Sequence, residues 1–319
     1  MTSLGKYRHL EECSTTAGHF MMLAIDHRLN LRASLDQKRG RAVTDEEFIA
    51  FKEAIIRHLA PYASAVLTDP QFGIGPGIQA GWLPADKGFL SPLEETDYTI
   101  HPMQRGFRML ENWGVEKIKR MGASGIKLLL YYHPQATNAQ SQMDVVVQTI
   151  EASREYDIPL YLEPIAFAPD GAAHLPATEL TDVVIESARI FSELGADVLK
   201  CEFPVNVKEI PNEADWEIPL ANLNQAIDVP WALLSAGVSY DVFKRQAQAS
   251  CRAGASGVIV GRAVWAEAVD YQGDALENFL ATTGAERMQE LSAIVAEHAH
   301  SWKERCSPPA VSGQWYRDF

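Results

Sequence analysis

Residues 197–205 read DVLKCEFPV, a short apolar run whose two faces separate when it is taken as a β-strand. One face carries Leu199, Cys201 and Phe203, which suits packing beneath helices. The other carries Val198, Lys200 and Glu202, so a lysine and a carboxylate point where a barrel or sheet core would lie. Seven further runs of the same kind flank it: HFMMLAIDH (19–27), SAVLTDP (64–70), GFLSPLE (88–94), GIKLLLYYH (125–133), PLYLEPIAF (159–167), PWALLSAG (230–237) and GVIVGRA (257–263). Amphipathic stretches lie between them, such as TDEEFIAFKEAIIRHLAPY (44–62), which opens on the N-cap residue Thr44. GFRMLENWGVEKIKRMGAS (106–124), DVVVQTIEASREYD (144–157) and YDVFKRQAQASCRAGAS (240–256) read the same way. Eight strand–helix alternations predict an α/β fold of one domain over residues 1–319, a (β/α)₈ TIM barrel. A doubly wound open sheet is the alternative. The third run is the least regular, because Pro92 has to sit at a strand end. After the eighth strand, residues 275–306 read as closing helices, and SPPAVSGQWYRDF (307–319) as an extended tail.

With 319 residues, 47% hydrophobic and 22% charged, the chain can bury a large core. A net charge of −14 argues against a nucleic-acid surface, which needs a basic footprint. The four cysteines (Cys13, Cys201, Cys251, Cys306) form no CxxC pair and suit reduced thiols. No basic-then-apolar leader and no apolar run of about 18 residues is present, so no membrane partner is expected and a cytoplasmic location is.

Alternation places Lys127 of GIKLLLYYH opposite Ile126, Leu128 and Leu130, and Glu163 of PLYLEPIAF opposite Leu160, Leu162 and Pro164. Three consecutive strands therefore aim Lys127, Glu163 and Lys200 inward. Burying such charges costs several kcal/mol each unless they are paired. A structural ion network is the plainer reading of any one of them. Chemistry becomes the better reading for all three together, because imine formation needs a lysine beside a second cation and a carboxylate. The amine is nucleophilic only when neutral, and the carboxylate serves as acid and base in dehydrating the carbinolamine.

Asp26 ends the first run, with His27 and Arg28 beside it at the same rim. Asp69, before a proline, reads as a turn or cap residue. The last two runs end in LLSAGVS and VIVGRA, where small residues let backbone N–H groups approach an anion. The loops after strands seven and eight are the habitual phosphate site of this barrel. Arg262 there supplies charge and bidentate hydrogen bonds. His27 and His133 belong to no HxH or HExxH set, so no metal site is expected.

These residues, in this order, resemble the class I tagatose 1,6-bisphosphate aldolase family (the LacD type, which also contains sulfofructose phosphate aldolases). The likeness runs from LAIDHR through IKLLLYYHP, LYLEPIAF, DVLKCEFPVNVK, LLSAGVS and GVIVGRAVWAEAV to HSWKERC. It implies that Lys200 is the Schiff-base lysine and Glu163 the principal acid and base, with Asp26 and Lys127 completing the catalytic group. It further implies that Ser235, Gly237, Gly261 and Arg262 hold the phosphate of the dihydroxyacetone half, and that no cofactor is used beyond the imine on Lys200. The expected substrate is a phosphorylated ketose, with tagatose 1,6-bisphosphate the family default, and the expected assembly a homo-oligomer, dimer or tetramer. Where members commonly carry Asp-Gln-Arg-Gly after the first strand, this chain has Asp26-His27-Arg28-Leu29. His27 and Arg28 lie where substrate passes, so a sulfonate in place of the 6-phosphate is the rival within the class. EIPNEADWEIPLANL (209–223) also looks shortened. From another class, the alternative is a non-catalytic sugar-phosphate sensor that keeps the barrel. The aromatic tail residues Trp315, Tyr316 and Phe319 are candidates for docking on a neighbour or over the barrel mouth.

Overall fold

In the computed structural model, eight parallel strands close into a barrel in sequence order: β1 (Phe20–Ile25), β2 (Ala65–Thr68), β3 (Gly88–Pro92), β4 (Gly125–Tyr132), β5 (Leu160–Ala166), β6 (Val198–Cys201), β7 (Trp231–Leu234) and β8 (Gly257–Val260). The structure describes residues 2–95, 100–105, 107–172 and 174–317. Closure is made by β1 against β8, with Met22 opposite Ile259. That excludes the open sheet. Pro92 is the last residue of β3, where its missing N–H costs no ladder bond.

Alternation splits the apolar residues into two cores. Leu128, Leu130, Leu160, Leu162, Leu199 and Cys201 face outward and pack beneath the helices. Phe20, Met22, Leu67, Tyr161, Val198 and Ile259 face inward and fill the lower half of the barrel. Gly125 makes room for that filling, since a Cβ there would stand 2.7 Å from the Tyr161 ring. The bottom is stoppered by the helix Leu4–Glu12, through Leu10, and by Trp302, whose indole N–H donates to Ser14. Lys6 anchors that helix to Asp197 at 2.8 Å, at the foot of β6. With the lower half dry and full, polar residues on inward positions are left to the upper half, at the C-terminal strand ends.

The helix Asp45–Leu59 begins as its sequence suggests, with a capping box between Thr44 and Glu47. The segment 106–124 differs from expectation. Among its described residues only Val115–Arg120 is α-helical. The part before it returns antiparallel to the chain leaving β3: Leu110 N–H donates to the Leu93 carbonyl, and Glu95 N–H to that of Arg108. Those two bonds, and Gly114 in an extended conformation, override the helical periodicity. After Cys306 the chain is irregular and mostly exposed as far as Arg317, with one 3₁₀ turn at Trp315–Arg317; Phe319 lies outside the described residues. Among the described residues no helix is long and apolar enough to cross a membrane.

Candidate active site

A cavity of about 410 Å³ opens at the C-terminal ends of the strands. Its floor is the inward layer above the apolar plug. Lys200 on β6 and Glu163 on β5 meet there, with Lys200 Nζ 2.9 Å from Glu163 Oε1. Lys127 stands two residues lower on β4 than the residue paired with Glu163, and its longer side chain reaches up. Its ammonium lies 2.6 Å from Glu94 Oε1, 3.1 Å from Asp26 Oδ2 and 3.1 Å from Glu163 Oε2. The last contact has ion-pair distance without hydrogen-bond alignment, so Glu163 Oε2 keeps an unused acceptor in a buried place. Two lysines thus share three carboxylates, and Lys127, Glu163 and Lys200 are each at most 6% exposed.

The carboxylates are not equivalent. Burial works to raise the Asp26 pKa, but the charge and hydrogen bond of Lys127, with the charge of Lys200, outweigh it and hold Asp26 far below the usual carboxylate range. Burial dominates at Glu94, whose pKa is raised despite the opposing charge of Lys127. His27 is pushed down to about 3, chiefly by burial, with Asp26 opposing and the Arg262 and Lys200 charges adding. It is therefore a neutral imidazole at ordinary pH. Its ring stands edge-on to Trp265, and its Nδ1, 3.9 Å from Asp26 Oδ1, has no hydrogen-bond partner.

The rim after β1 is held from below. Lys52 on the helix Asp45–Leu59 is fully buried and donates to the carbonyls of Ile25 (2.9 Å) and His27 (2.8 Å), the two residues that bracket Asp26. It also pairs with Asp69. Asp69 caps the turn after β2 by accepting from the Gln71 and Phe72 amides, the structural role its sequence suggested. Arg28 reaches across and donates to the Glu94 carbonyl at 2.7 Å. Arg32 pairs with Asp45 and lies over the rings of Phe48 and Phe72.

On the far side, Ser235 and Ala236 follow β7, Ala236 holding a φ of 44°, and Gly237 follows at φ 73°. A Cβ on Gly237 would stand 3.3 Å from the Arg262 guanidinium carbon, and one on Gly261 3.0 Å from the Ala24 carbonyl, so both positions need the bare backbone. Among the described residues no carboxylate pairs with Arg262. The combination of a free guanidinium with close backbone suits a dianion.

The structure brings Asp26, His27, Arg28, Lys127, Glu163, Lys200, Ser235, Gly261 and Arg262 to one cavity, with Gly237 against Arg262 at its edge. Sequence reasoning missed Glu94 and Lys52, and placed Glu202 on the inward face without giving it a role. Glu94 shares the inward parity of Leu90 and Pro92, so the signal was present in the third run. Lys52 was signalled by a charge on the apolar stripe of its helix. Among the described residues no group of three or more His, Cys, Asp or Glu side chains stands where it could hold a metal ion.

The sequence pattern of the DeoC/LacD family aldolases matches residues 20–267. Over 94% of its length and 98% of theirs, the chain is 32% identical to the tagatose 1,6-diphosphate aldolase 2 of Streptococcus agalactiae and to the tagatose 1,6-diphosphate aldolase of Lactococcus lactis. An archaeal fructose 1,6-bisphosphate aldolase superposes with a TM-score of 0.63 at 17% identity, covering 92% of this chain and 99% of that one. The fructose-bisphosphate aldolase of Plasmodium falciparum does so with a TM-score of 0.71 at 10% identity, covering 93% and 95%. At those identities the structural likeness is one of fold.

Proposed function

The chain belongs to the DeoC/LacD family of aldolases, and on that footing we propose that it is a class I aldolase, a lyase that cleaves tagatose 1,6-bisphosphate through an imine on Lys200. The observation that carries this reading is the buried Lys200–Glu163–Lys127 bridge at the C-terminal mouth of the barrel.

In the reaction so read, the neutral amine of Lys200 attacks the C2 carbonyl of the open-chain ketose. Glu163, 2.9 Å from that nitrogen, protonates the departing hydroxyl of the carbinolamine, and water leaves to give the iminium. Loss of the C4 hydroxyl proton then breaks C3–C4. The electron pair moves into the iminium as an enamine, and glyceraldehyde 3-phosphate departs. Protonation at C3 and addition of water at C2 release dihydroxyacetone phosphate and regenerate Lys200. Lys127 keeps Asp26, Glu94 and Glu163 together, so one cation sets the geometry of three carboxylates. The C1 phosphate sits on Arg262 with the backbone of Ser235, Gly237 and Gly261. Written this way, the chemistry uses no cofactor beyond the covalent link itself.

A second reading, cleavage of 6-deoxy-6-sulfofructose 1-phosphate to dihydroxyacetone phosphate and sulfolactaldehyde, is favoured by the neutral, buried His27 and by Leu29 at the β1 rim. We also propose that the chain works as a homo-oligomer, dimer or tetramer, in the cytoplasm; four free, buried cysteines support the compartment. Sedimentation of the purified protein tests the first point. The sensor alternative has less support, because a binding module has no use for two buried lysines around a carboxylate.

Cleavage rates for tagatose 1,6-bisphosphate, fructose 1,6-bisphosphate and sulfofructose phosphate, measured side by side with EDTA present, test the assignment. Highest kcat/KM with tagatose 1,6-bisphosphate supports the leading reading. Preference for the sulfonate moves it to the second, and no turnover of any of the three overturns both.

A further inference from the structure

Cleaving a carbon–carbon bond this way needs a group that takes the C4 hydroxyl proton, and Glu163 is already engaged, with one oxygen 2.9 Å from the Lys200 nitrogen and the other 3.1 Å from Lys127. Glu163 faces the imine nitrogen and therefore C2, whereas the C4 hydroxyl lies two carbon–carbon bonds farther on. With the C1 phosphate on Arg262 and the imine on β6, a base on the β5–β6 side above Lys200 would meet a substrate whose C3 and C4 run that way.

Above Lys200 the carboxylate that lines the cavity is that of Glu202. Glu202 shares the inward parity of Lys200 and stands two residues on, ~6.6 Å nearer the mouth along the strand. It lines the cavity that holds Lys200, and also a second cavity of about 750 Å³ that continues past β5 and β6. Its Oε2 accepts the Ala166 amide at 2.6 Å, which fixes the carboxyl against β5 and leaves its other oxygen for a ligand. Resting on the aldolase reading, we propose that Glu202 is the catalytic base that takes the C4 hydroxyl proton and returns it to C3.

The proton balance closes on this one residue. The C4–O–H proton passes to the Glu202 carboxylate as C4 becomes a carbonyl, and the C3–C4 pair enters the Lys200 iminium as an enamine. The aldehyde leaves. Glu202, now a carboxylic acid, gives the same proton to C3 and restores the iminium, which water hydrolyses. A group that must serve as base and then acid works best with a pKa close to the operating pH. Burial, with help from the Glu163 charge and against the Ala166 amide, pushes Glu202 up to about 7. The other charged or titratable groups around it are Lys200 on β6, Tyr131 from β4, and His101, His174 and Lys208 lining the second cavity.

Glu202→Gln keeps the acceptor for Ala166 and removes the base. Three readouts on wild type and variant decide the matter. Wild type is expected to form a borohydride-reducible adduct with dihydroxyacetone phosphate, and the variant to form it to the same extent. Cleavage of tagatose 1,6-bisphosphate by the variant is expected to fall about 10²–10⁴-fold, the usual worth of a positioned acid–base group. Deuterium exchange into C3 of dihydroxyacetone phosphate is expected to fall with it. In wild type, cleavage should decline as pH drops below about 7, since the base must be ionised. The variant should lack that limb. Unchanged cleavage, unchanged exchange, or loss of the adduct in the variant would each overturn the assignment of Glu202. Absence of the adduct in wild type would overturn the aldolase reading instead.

Discussion

Lys200 and Glu163 come from adjacent strands and meet at 2.9 Å on the floor of the cavity, both almost wholly buried. A buried pair of this kind is seldom retained for stability, since replacing it with apolar side chains often costs nothing. Its placement at the C-terminal strand ends, with a second lysine on the other carboxylate oxygen, gives it a chemical use instead.

The two lysines should separate in their effects. Lys200→Met removes the nucleophile and should abolish turnover with a small change in melting temperature. Lys127→Met leaves Asp26, Glu94 and Glu163 together without their shared cation, and leaving a buried charge unpaired costs about 3–5 kcal/mol. Lys127→Met should therefore melt well below Lys200→Met in a scanning calorimeter. Equal melting temperatures would show that the carboxylates find partners elsewhere.

His27 gives stability a pH dependence whose sign is fixed. Its pKa is about 3 in the folded chain and ~6.5 when unfolded, so between those values the unfolded chain binds the extra proton. Stability then rises with pH through that window and is lost on acidification, at up to about 1.4 kcal/mol per pH unit. His27→Gln should flatten the melting temperature between pH 4 and 6 relative to wild type. An unaltered slope would place the titration in other groups.

Lys52 acts at a distance from substrate, through the carbonyls that bracket Asp26. Lys52→Met should lower kcat with little change in KM, and should also destabilise the fold by leaving Asp69 unpaired. The double variant Lys52→Met, Asp69→Asn should regain stability while kcat stays low, because the β1 rim is still unheld. Recovery of both together would make Lys52 a purely structural residue.

Arg262 should matter mainly for affinity. A charge-assisted hydrogen bond is worth about 1.5–3 kcal/mol, and Arg262→Ala removes a side chain able to make two. The loss in kcat/KM should be on the order of 10²-fold, carried by KM and seen equally with every ketose 1-phosphate. A loss confined to one substrate would mean that Arg262 reads the opposite end.

Much of this was legible in the sequence because strand parity is a strict two-residue rule. It puts Lys127, Glu163 and Lys200 on one surface, and the same rule applied to the third run puts Glu94 there. Lys52 was harder, since a lysine on an apolar helical stripe usually snorkels to solvent; its three oxygen partners come from the ends of β1 and β2, distant in sequence. The segment 106–124 failed as a helix because backbone pairing with the chain after β3 depends on a neighbour that periodicity does not register. The opposite pKa shifts of Asp26 and Glu94, both beside Lys127, are a product of packing and have no sequence signature.

The central claim is an imine on Lys200. It is tested most directly by incubating the protein with dihydroxyacetone phosphate in the presence of EDTA, reducing with borohydride, and mapping the added mass by peptide mass spectrometry. One adduct is expected, on Lys200, absent from Lys200→Met. A folded protein that takes up no adduct, or takes it up on Lys127 instead, would contradict it.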